Sequence, residues 1–276
     1  MKITGIKKRI LPFLKWPGGK RWLVEQHSDI FPTDQNNYIE PFLGAGSVFF
    51  HLCPKKAHLS DSNSELIETF RAIRDNWCLV LKHLKKHQNK HSDSYYYFVR
   101  SSSPKTAASK AARLIYLNRT CFNGIYRVNR NGEFNVPRDT RNNIIFKHDD
   151  FEALSKILQG VKLMSSDFQE PINHAGNGDF IFADPPYTVK HNNNAFVKYN
   201  EKLFSWDDQI RLANSLISAA ERGATIISTN AYHPCVIELY RDHFELRPVS
   251  RKSQISAGSE YRGNFQELLI LTRKRS

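Results

Sequence analysis

A carboxylate and an aromatic ring stand together at the end of a short apolar run, and they are the residues best suited to chemistry. Residues 180–183 (Phe-Ile-Phe-Ala) predict a strand buried on both faces, which the two following prolines must end because neither has a backbone donor. In an open α/β sheet, ligands bind outside the carboxyl ends of strands. Asp184, the Pro185 carbonyl and the Tyr187 ring suit a planar amine: the acceptors orient the amino group, and the ring stacks on the base that carries it. A plain loop ending the strand is the alternative interpretation.

Two glycine-containing segments earlier in the chain indicate a cofactor site. Residues 13–20 (Phe-Leu-Lys-Trp-Pro-Gly-Gly-Lys) form a loop whose backbone can approach a ligand closely. Residues 38–47 predict a strand, a Gly-x-Gly turn and a helix start, the arrangement in which a cofactor lies against bare backbone. Glu40 and Asp61, at the ends of two predicted strands, are acids of the kind that holds a ribose or an amino group. Asp167 is a third acid at a strand end.

Residues 118–147 predict an element that binds nucleic acid. The dipeptide Asn131-Gly132, flanked by residues 127–130 and 133–136, is a strong signal for a β-hairpin. A two-stranded ribbon fits the major groove of DNA, and arginine and asparagine match the edges of guanine and adenine. Phe122 adds an aromatic ring at the approach. A solvated surface hairpin without a ligand is the alternative.

The composition agrees with a polyanionic partner and an ordinary globular core. Among 276 residues, 40 Lys+Arg face 27 Asp+Glu, which gives a formal net charge of +13. The four cysteines are scattered, which predicts reduced thiols and no disulfide framework or metal site. His83, His87 and His91 are interleaved with lysines, which favours a solvated basic face over metal ligands. No apolar run is long enough to span a membrane, so we expect a cytoplasmic protein, associated with the nucleoid in a bacterium or encoded by a phage.

The remaining pattern predicts an α/β fold with an insertion. Ser62 and Glu65 predict a capping box before a helix that runs through Asn76, and residues 151–158 and 206–222 predict further helices. The last residues predict a closing antiparallel pair of strands. Residues 188–204, polar and without periodicity, predict a lid or binding loop. We assign residues 1–62 and 148–276 to the α/β domain and residues 63–147 to the insertion.

Four motifs occur in a fixed order along nearly the whole chain. They are Phe-Leu-Lys-Trp-Pro-Gly-Gly-Lys, Glu-Pro-Phe-Leu-Gly-Ala-Gly-Ser, Gly-Glu-Phe-Asn-Val-Pro and Asp-Pro-Pro-Tyr. In this order they closely resemble the Dam-type DNA adenine-N6 methyltransferases, the D12 class with alpha-group motif order. The resemblance implies S-adenosylmethionine (S-adenosyl-L-methionine) as methyl donor. It also implies that residues 1–62 and 148–276 form the catalytic, cofactor-binding domain, a Rossmann-like methyltransferase sheet with a terminal antiparallel hairpin. Residues 63–147 are then a small, mainly helical target-recognition domain that carries a β-hairpin.

The resemblance also implies roles for individual residues. The catalytic motif is matched by Asp184, Pro185 and Tyr187. The positions matched to cofactor binding are Trp16, Lys20, Glu40, Pro41, Phe42, Gly44, Gly46, Asp61, Asp167 and Asp184. The candidates for binding double-stranded DNA, including the base displacement that the family uses, are Lys15, Arg119, Phe122, Asn123, Arg127, Asn129, Asn135 and Pro137.

Departures from the family pattern bear on the target sequence. Pro17 stands where relatives often have alanine, and Arg138-Asp139 follows Pro137 where Phe-Gly or a similar pair is common. These differences leave methyl transfer standing and concern the target sequence, for which the resemblance implies GATC. A cognate restriction endonuclease is a candidate partner, and we expect a monomer, with a dimer left open. The alternatives are methylation of another amine, namely cytosine N4, an RNA adenine or a protein glutamine, and an inactive DNA-binding relative.

Overall fold

The computed structural model describes residues 10–129, 131–189, 204–252 and 264–273. The chain forms two compact units. The first contains residues up to Gln26 together with Gly44–Cys53 and Asn63–Ser165, and the second contains His27–Leu43, Pro54–Ser62 and the residues from Ser166 onward. The segment predicted as the target-recognition insertion, 63–147, lies within the first unit. No described helix is both long enough and apolar enough to cross a membrane.

The described residues form both strands and helices. The strands are β1 Tyr38–Glu40, β2 Ala57–Asp61, β3 Lys162–Ser165, β4 Phe180–Ala183, β5 Thr225–Ala231, β6 Phe244–Lys252 and β7 Asn264–Thr272. The helices are α1 Arg21–Gln26, α2 Ser47–Leu52, α3 Ser64–Lys90, α4 Asp93–Ser101, α5 Ala107–Thr120, α6 Phe151–Leu158, α7 Gln169–Asn173, α8 Trp206–Glu221 and α9 Pro234–Tyr240.

The described strands form one seven-stranded sheet, in the order β3-β2-β1-β4-β5-β7-β6. Strands β2, β1, β4 and β5 pair in parallel, so their carboxyl ends meet at one edge. Strands β6 and β7 pair antiparallel with each other, and β7 also pairs antiparallel with β5. This architecture confirms the predicted α/β fold and its closing antiparallel pair.

Strand β4 is buried on both faces, as its apolar sequence predicts. On one face, Phe180 and Phe182 meet the Phe31 ring edge-on, with ring centroids 6.4 and 6.3 Å apart. On the other face, Ile181 and Ala183 belong to a core with residues of α8. Both faces are therefore occupied by packing, which leaves the end of the strand accessible to a ligand.

The first unit is mainly helical, and its longest helix differs from the prediction at both ends. Asn63, and not Ser62, is the N-cap of α3, because its side chain accepts the Leu66 amide hydrogen. The helix does not end at Asn76. That residue has non-helical dihedral angles (φ −154°, ψ 47°) and marks a kink, after which the chain resumes a helix to Lys90.

His87 in α3 and His91 directly after it pack against tyrosines, in contrast to the solvated basic face that the sequence predicts. His87 stacks on the Tyr116 ring at 4.8 Å and bonds to the Tyr95 hydroxyl at 2.9 Å. His91 bonds to the Tyr116 hydroxyl at the same distance. Burial, reinforced by the charge of His83, lowers the pKa of His87 to about 4. Tyrosines from α4 and α5 supply partners that spacing along one helix cannot indicate.

The predicted hairpin is present, but its turn is different. The amide of Asn129 donates to the Glu133 carbonyl at 2.9 Å, and an isolated bridge joins Val128 to Phe134. Asn129 therefore faces Glu133 across the hairpin, so three residues separate the paired positions in place of the two of the predicted Asn-Gly turn. Gly132, with φ +77°, takes the left-handed position that such loops require.

Arg119 is completely buried within the first unit. Its guanidinium forms a bidentate ion pair with Asp149 (2.6 and 2.9 Å) and donates to the carbonyls of Phe13 and Ile144. It also stacks on the Phe146 ring at 4.3 Å. The expectation that Arg119 contacts DNA is therefore corrected: every nitrogen of its guanidinium is committed to the interior.

We predict that Asp149→Ala strongly destabilises the protein. It leaves a buried guanidinium without its counter-charge, a change that costs about 3–5 kcal/mol. The free energy of unfolding from urea titration measures this cost. Glu152→Ala is the control, because its ion pair with Lys156 is exposed on both sides (54% and 72%) and should contribute less than about 1 kcal/mol. Equal losses for the two variants would contradict the structural role of Arg119.

Candidate active site at the end of strand β4

The second unit places several predicted site residues along one edge of its sheet. Glu40 ends β1, Asp61 ends β2, and Asp184 follows β4 directly. Strand β1 pairs in parallel with both β2 and β4. The three carboxylates therefore lie at the carboxyl edge, where open α/β sheets bind their ligands.

The segment after β4 is held by side chains of its neighbours. Thr229 on β5 donates a hydrogen bond to Asp184 Oδ1 at 2.6 Å, and Ser228 donates to the Ala183 carbonyl at 2.9 Å. On the far side, Gln209 of α8 donates to the Pro186 carbonyl at 3.1 Å and accepts from Asn230 at 2.9 Å. These side-chain hydrogen bonds hold the segment in place of the backbone hydrogen-bond ladder of the sheet, which the prolines interrupt.

Tyr187 is anchored through its hydroxyl group. The hydroxyl donates to Glu267 Oε2 at 2.7 Å. Burial, followed by the charges of Asp184 and Glu267, raises the pKa of Tyr187 well above its usual value. The phenol is therefore neutral at physiological pH and acts as a hydrogen-bond donor.

Glu40 is a buried carboxylate with a defined orientation. It is only 2% exposed, and Tyr38 donates a hydrogen bond to its Oε2 at 2.8 Å. Burial and the Glu40 charge raise the pKa of Tyr38 well above its usual value, which keeps that donor protonated. The turn that follows Pro41 is tied to the next strand by the bond from the Leu43 amide to the Ser60 carbonyl, 2.9 Å long.

Asp167 stands beside an aromatic pair. Phe42 stacks on Phe168 with centroids 5.5 Å apart and an interplanar angle of 26°. Asp167 accepts the Gln169 amide hydrogen at the start of α7, and it pairs with Arg211 at 3.0 Å. The Arg211 guanidinium also lies 4.9 Å from the Phe168 ring centroid. The arrangement combines a flat apolar surface with an oriented acid.

The first unit carries the glycine-containing loops. Gly44 (φ +48°) and Gly46 (φ +68°) both take left-handed conformations, and a Cβ atom on Gly44 would lie 3.0 Å from Trp16 Cδ1. The Trp16 ring stacks on Tyr126 at 5.6 Å. Lys20 is 4% exposed and donates to the Gly18 carbonyl at 2.8 Å. Close backbone approach at Gly44 is thus a property of the fold.

The first unit also brings Lys15 close to the segment around Asn123. Asn118 accepts a hydrogen bond from the Lys15 amide (2.8 Å) and donates to the carbonyls of Lys15 (2.6 Å) and Gly124 (2.9 Å). Asn123 is exposed with φ +55°, and the Phe122 side chain is 51% exposed. Burial, followed by the charge of Arg141, lowers the pKa of Lys15. The hydrogen bonds of Asn118 fix this loop, while Phe122 and Asn123 at its tip remain exposed.

The polar residues of the hairpin bond mainly to one another. Arg127 donates to the Asn135 side chain at 2.8 Å. Asn129 donates to Glu133 and accepts the amide hydrogens of residues 131 and 133, so it stabilises the loop. Pro137 is exposed, and its carbonyl accepts the Phe122 amide hydrogen at 2.9 Å. The hairpin is therefore tied to the segment that carries Phe122.

Several residues that hold the site were not anticipated from the sequence. Thr229 and Glu267 reach the strand end through the register of β5 and β7, and Gln209 reaches it from α8. The one available signal was Glu267, an acid directly before the apolar run 268–271. Of the predicted lid, residues 190–203 lie outside the described residues, while Thr188 donates to the Phe204 carbonyl at 2.7 Å.

A parallel sheet closed by an antiparallel pair, with an acid and a tyrosine after its central strand, defines the class of Rossmann-like methyltransferases. The chain belongs to the family of D12 class N6 adenine-specific DNA methyltransferases, whose model matches residues 16–255. Membership confirms the resemblance carried by the four sequence motifs.

Known relatives match over almost the whole chain. The type II methyltransferase M1.LlaDCHI of Lactococcus lactis is 36% identical over 273 residues, which cover 96% of each chain. The type II methyltransferase M.MjaIII of Methanocaldococcus jannaschii is 31% identical, with 95% of this chain and 99% of the relative covered. The DNA adenine methylase of Haemophilus influenzae is 29% identical, with 94% and 93% covered.

We predict that Gly44→Ala weakens S-adenosylmethionine binding. The added Cβ meets the Trp16 ring at 3.0 Å in a backbone conformation that alanine adopts poorly. The Kd from calorimetry should rise by ~10-fold, equivalent to ~1.4 kcal/mol. Gly160→Ala is the matched control, since φ is +74° there and the site of the Cβ is open. An unchanged Kd for Gly44→Ala would contradict a cofactor role for this loop.

Proposed function

We propose that this protein transfers the methyl group of S-adenosylmethionine to N6 of an adenine in duplex DNA. The observation that carries the proposal is the segment Asp184–Tyr187, held by hydrogen bonds from β5, β7 and α8 at the carboxyl edge of the sheet. A protein that only bound DNA would not need an acid and an aromatic ring fixed so firmly at a ligand-binding edge.

The residues act by orienting the amine. Asp184 and the Pro185 carbonyl accept the two hydrogens of the adenine amino group and concentrate its lone pair for attack, while the Tyr187 ring supports the face of the base. Because a paired adenine cannot meet the methyl donor in line, the base must leave the stack. No covalent nucleophile takes part, and positioning accounts for much of the rate.

The residues matched to cofactor binding fit an S-adenosylmethionine molecule chemically. Gly44 and Gly46 take left-handed conformations and leave the backbone of this turn without side chains at these two positions, and Phe42 with Phe168 offers a flat surface suited to an adenine ring, next to Asp167. Asp61 and Glu40 supply acceptors for hydroxyl or amino groups. When bound, the cofactor supplies a methyl group on a positively charged sulfur.

The exposed residues of the first unit support a role in DNA recognition. Phe122 and Asn123 project from a loop fixed by Asn118, and Arg127 with Asn135 offers a paired donor and acceptor. The net charge of +13 favours the phosphate backbone. We propose GATC as the target, a choice that rests on the motif resemblance, with residues 63–147 as the recognition domain.

The identity of the strand-end acid separates this proposal from methylation of other amines. Related enzymes that act on glutamine usually carry Asn-Pro-Pro-Tyr, and those that act on cytosine N4 more often carry Ser-Pro-Pro. Asp184 therefore favours adenine. Since two relatives are named type II methyltransferases, a cognate restriction endonuclease is part of the proposal.

We predict that Asp184→Ala abolishes methyl transfer while retaining part of the cofactor binding. Loss of the acceptor that orients N6 should lower the rate by ~10²-fold or more. The assay is transfer of tritiated methyl groups from S-adenosylmethionine to duplex DNA. Asp207→Ala, at an exposed position in the first turn of α8, is the control and should behave as wild type. Full activity of Asp184→Ala would overturn the proposed mechanism.

We also predict that Arg127→Ala relaxes the choice of sequence. A guanidinium that reads a guanine edge contributes ~1–3 kcal/mol of discrimination at one position. Long-read modification sequencing of treated DNA reports the methylated sequence for each variant. Arg21→Ala, which removes an exposed arginine paired with Glu25 on α1, is the control. An identical sequence preference for Arg127→Ala and wild type would exclude this role for Arg127.

A further inference from the structure

A buried carboxylate on the antiparallel part of the sheet holds the tyrosine of the strand end. Glu267 lies in β7, directly before the apolar run 268–271, and is only 5% exposed. It accepts the Tyr187 hydroxyl hydrogen at 2.7 Å. The contact joins residues 80 positions apart in the sequence, so it depends on the tertiary fold and not on a local turn.

The strand register explains how Glu267 reaches this position. Glu267 pairs with Ala231 and Leu269 pairs with Thr229, so Glu267 and Thr229 lie on the same face of the sheet. Thr229 in turn donates to Asp184 at 2.6 Å. The opposite face carries Leu268 and Ile270, which belong to the core. One face of the β5–β7 pair thus holds both functional side chains of the strand end.

The energetic cost of burying Glu267 indicates that the carboxylate has a specific purpose. A buried charge is unfavourable unless it is hydrogen-bonded, and an apolar residue would fill the same position in β7 at lower cost. A phenol donating to a carboxylate makes a short, charge-assisted hydrogen bond, about twice as strong as a neutral one. Burial and the nearby carboxylates raise the pKa of Tyr187, so the phenol retains the proton that this bond requires.

We infer that Glu267 is a positioning residue that sets the plane of the Tyr187 ring against the target base. A tyrosine side chain turns about two torsion angles, and a bond at its hydroxyl restrains both because that group lies farthest from the backbone. Thr229 restrains the Asp184 carboxylate from the same face of the sheet. The inference rests on the proposed function, since a ring plane matters only if a flat base stacks on it.

The effect of Glu267 on the reaction passes through the tyrosine hydroxyl, and a double-mutant cycle isolates that route. In single-turnover methyl transfer with saturating cofactor and DNA, Glu267→Ala should lower the rate by about 10- to 100-fold, the effect of a misplaced reactant. Tyr187→Phe keeps the ring but removes the donor, and it should lower the rate to a similar extent. Glu267→Ala in the Tyr187→Phe background should then cause little further loss.

The amide variant separates positioning from charge. Glu267→Gln keeps an oxygen acceptor at the same place and should lose only a few-fold in rate, because a neutral bond is about half as strong as a charge-assisted one. Glu245→Ala, an exposed acid on the neighbouring strand β6 that pairs with Arg247, is the control and should match wild type. The Kd for S-adenosylmethionine should stay unchanged in all these variants.

Two results would overturn the inference. One is a wild-type rate for Glu267→Ala, and the other is an equal loss from Glu267→Ala with and without the tyrosine hydroxyl. If Glu267→Ala does not fold, Tyr187→Phe and Glu267→Gln still test the bond from both sides: a wild-type rate for Tyr187→Phe would reject it. Failure of the proposed function is a distinct outcome, because the wild-type protein itself would then transfer no methyl group to DNA.

Discussion

The two prolines after strand β4 impose the constraint on which the candidate site depends. Neither has a backbone N–H, so the hydrogen-bond ladder of the sheet stops at Ala183. The chain beyond that point remains at the ligand-binding edge because other elements hold it. Those contacts come from Ser228, Thr229, Gln209 and Glu267. A rigid backbone and a set of side-chain bonds together present one acid and one ring in a defined geometry.

Buried polar residues around this segment have hydrogen-bond partners. Glu40, Gln209, Asn230 and Glu267 are at most 5% exposed, and each has a hydrogen-bond partner on another residue. Buried polar groups are tolerated when they are satisfied, and a satisfied network rigidifies its surroundings. In the second unit, these buried polar residues therefore hold the candidate site at the edge of the sheet. Buried polar groups are also paired in the first unit, where the ion pair between Arg119 and Asp149 joins α5 to the segment before α6.

The sequence predicts those parts of the fold that local patterns determine. The apolar run of β4, the helix over residues 151–158 and the closing antiparallel strands were all predicted from composition and spacing. Local patterns do not predict the position of Arg119. An arginine in a basic segment is expected to contact DNA, but tertiary packing buries this one. The prediction for His87 and His91 is wrong for the same reason, because their tyrosine partners come from other helices. Thr229 and Glu267 could not be assigned because their role depends on strand register, which no local pattern specifies.

The central claim is that the Asp184–Tyr187 segment directs methyl transfer to adenine N6 in duplex DNA. Mass spectrometry of nucleosides from duplex DNA incubated with the wild-type protein and S-adenosylmethionine tests this claim most directly, because it identifies the methylated base. We predict N6-methyldeoxyadenosine as the methylated nucleoside. Finding N4-methyldeoxycytidine instead, or no methylated nucleoside with a correctly folded protein, would contradict the account.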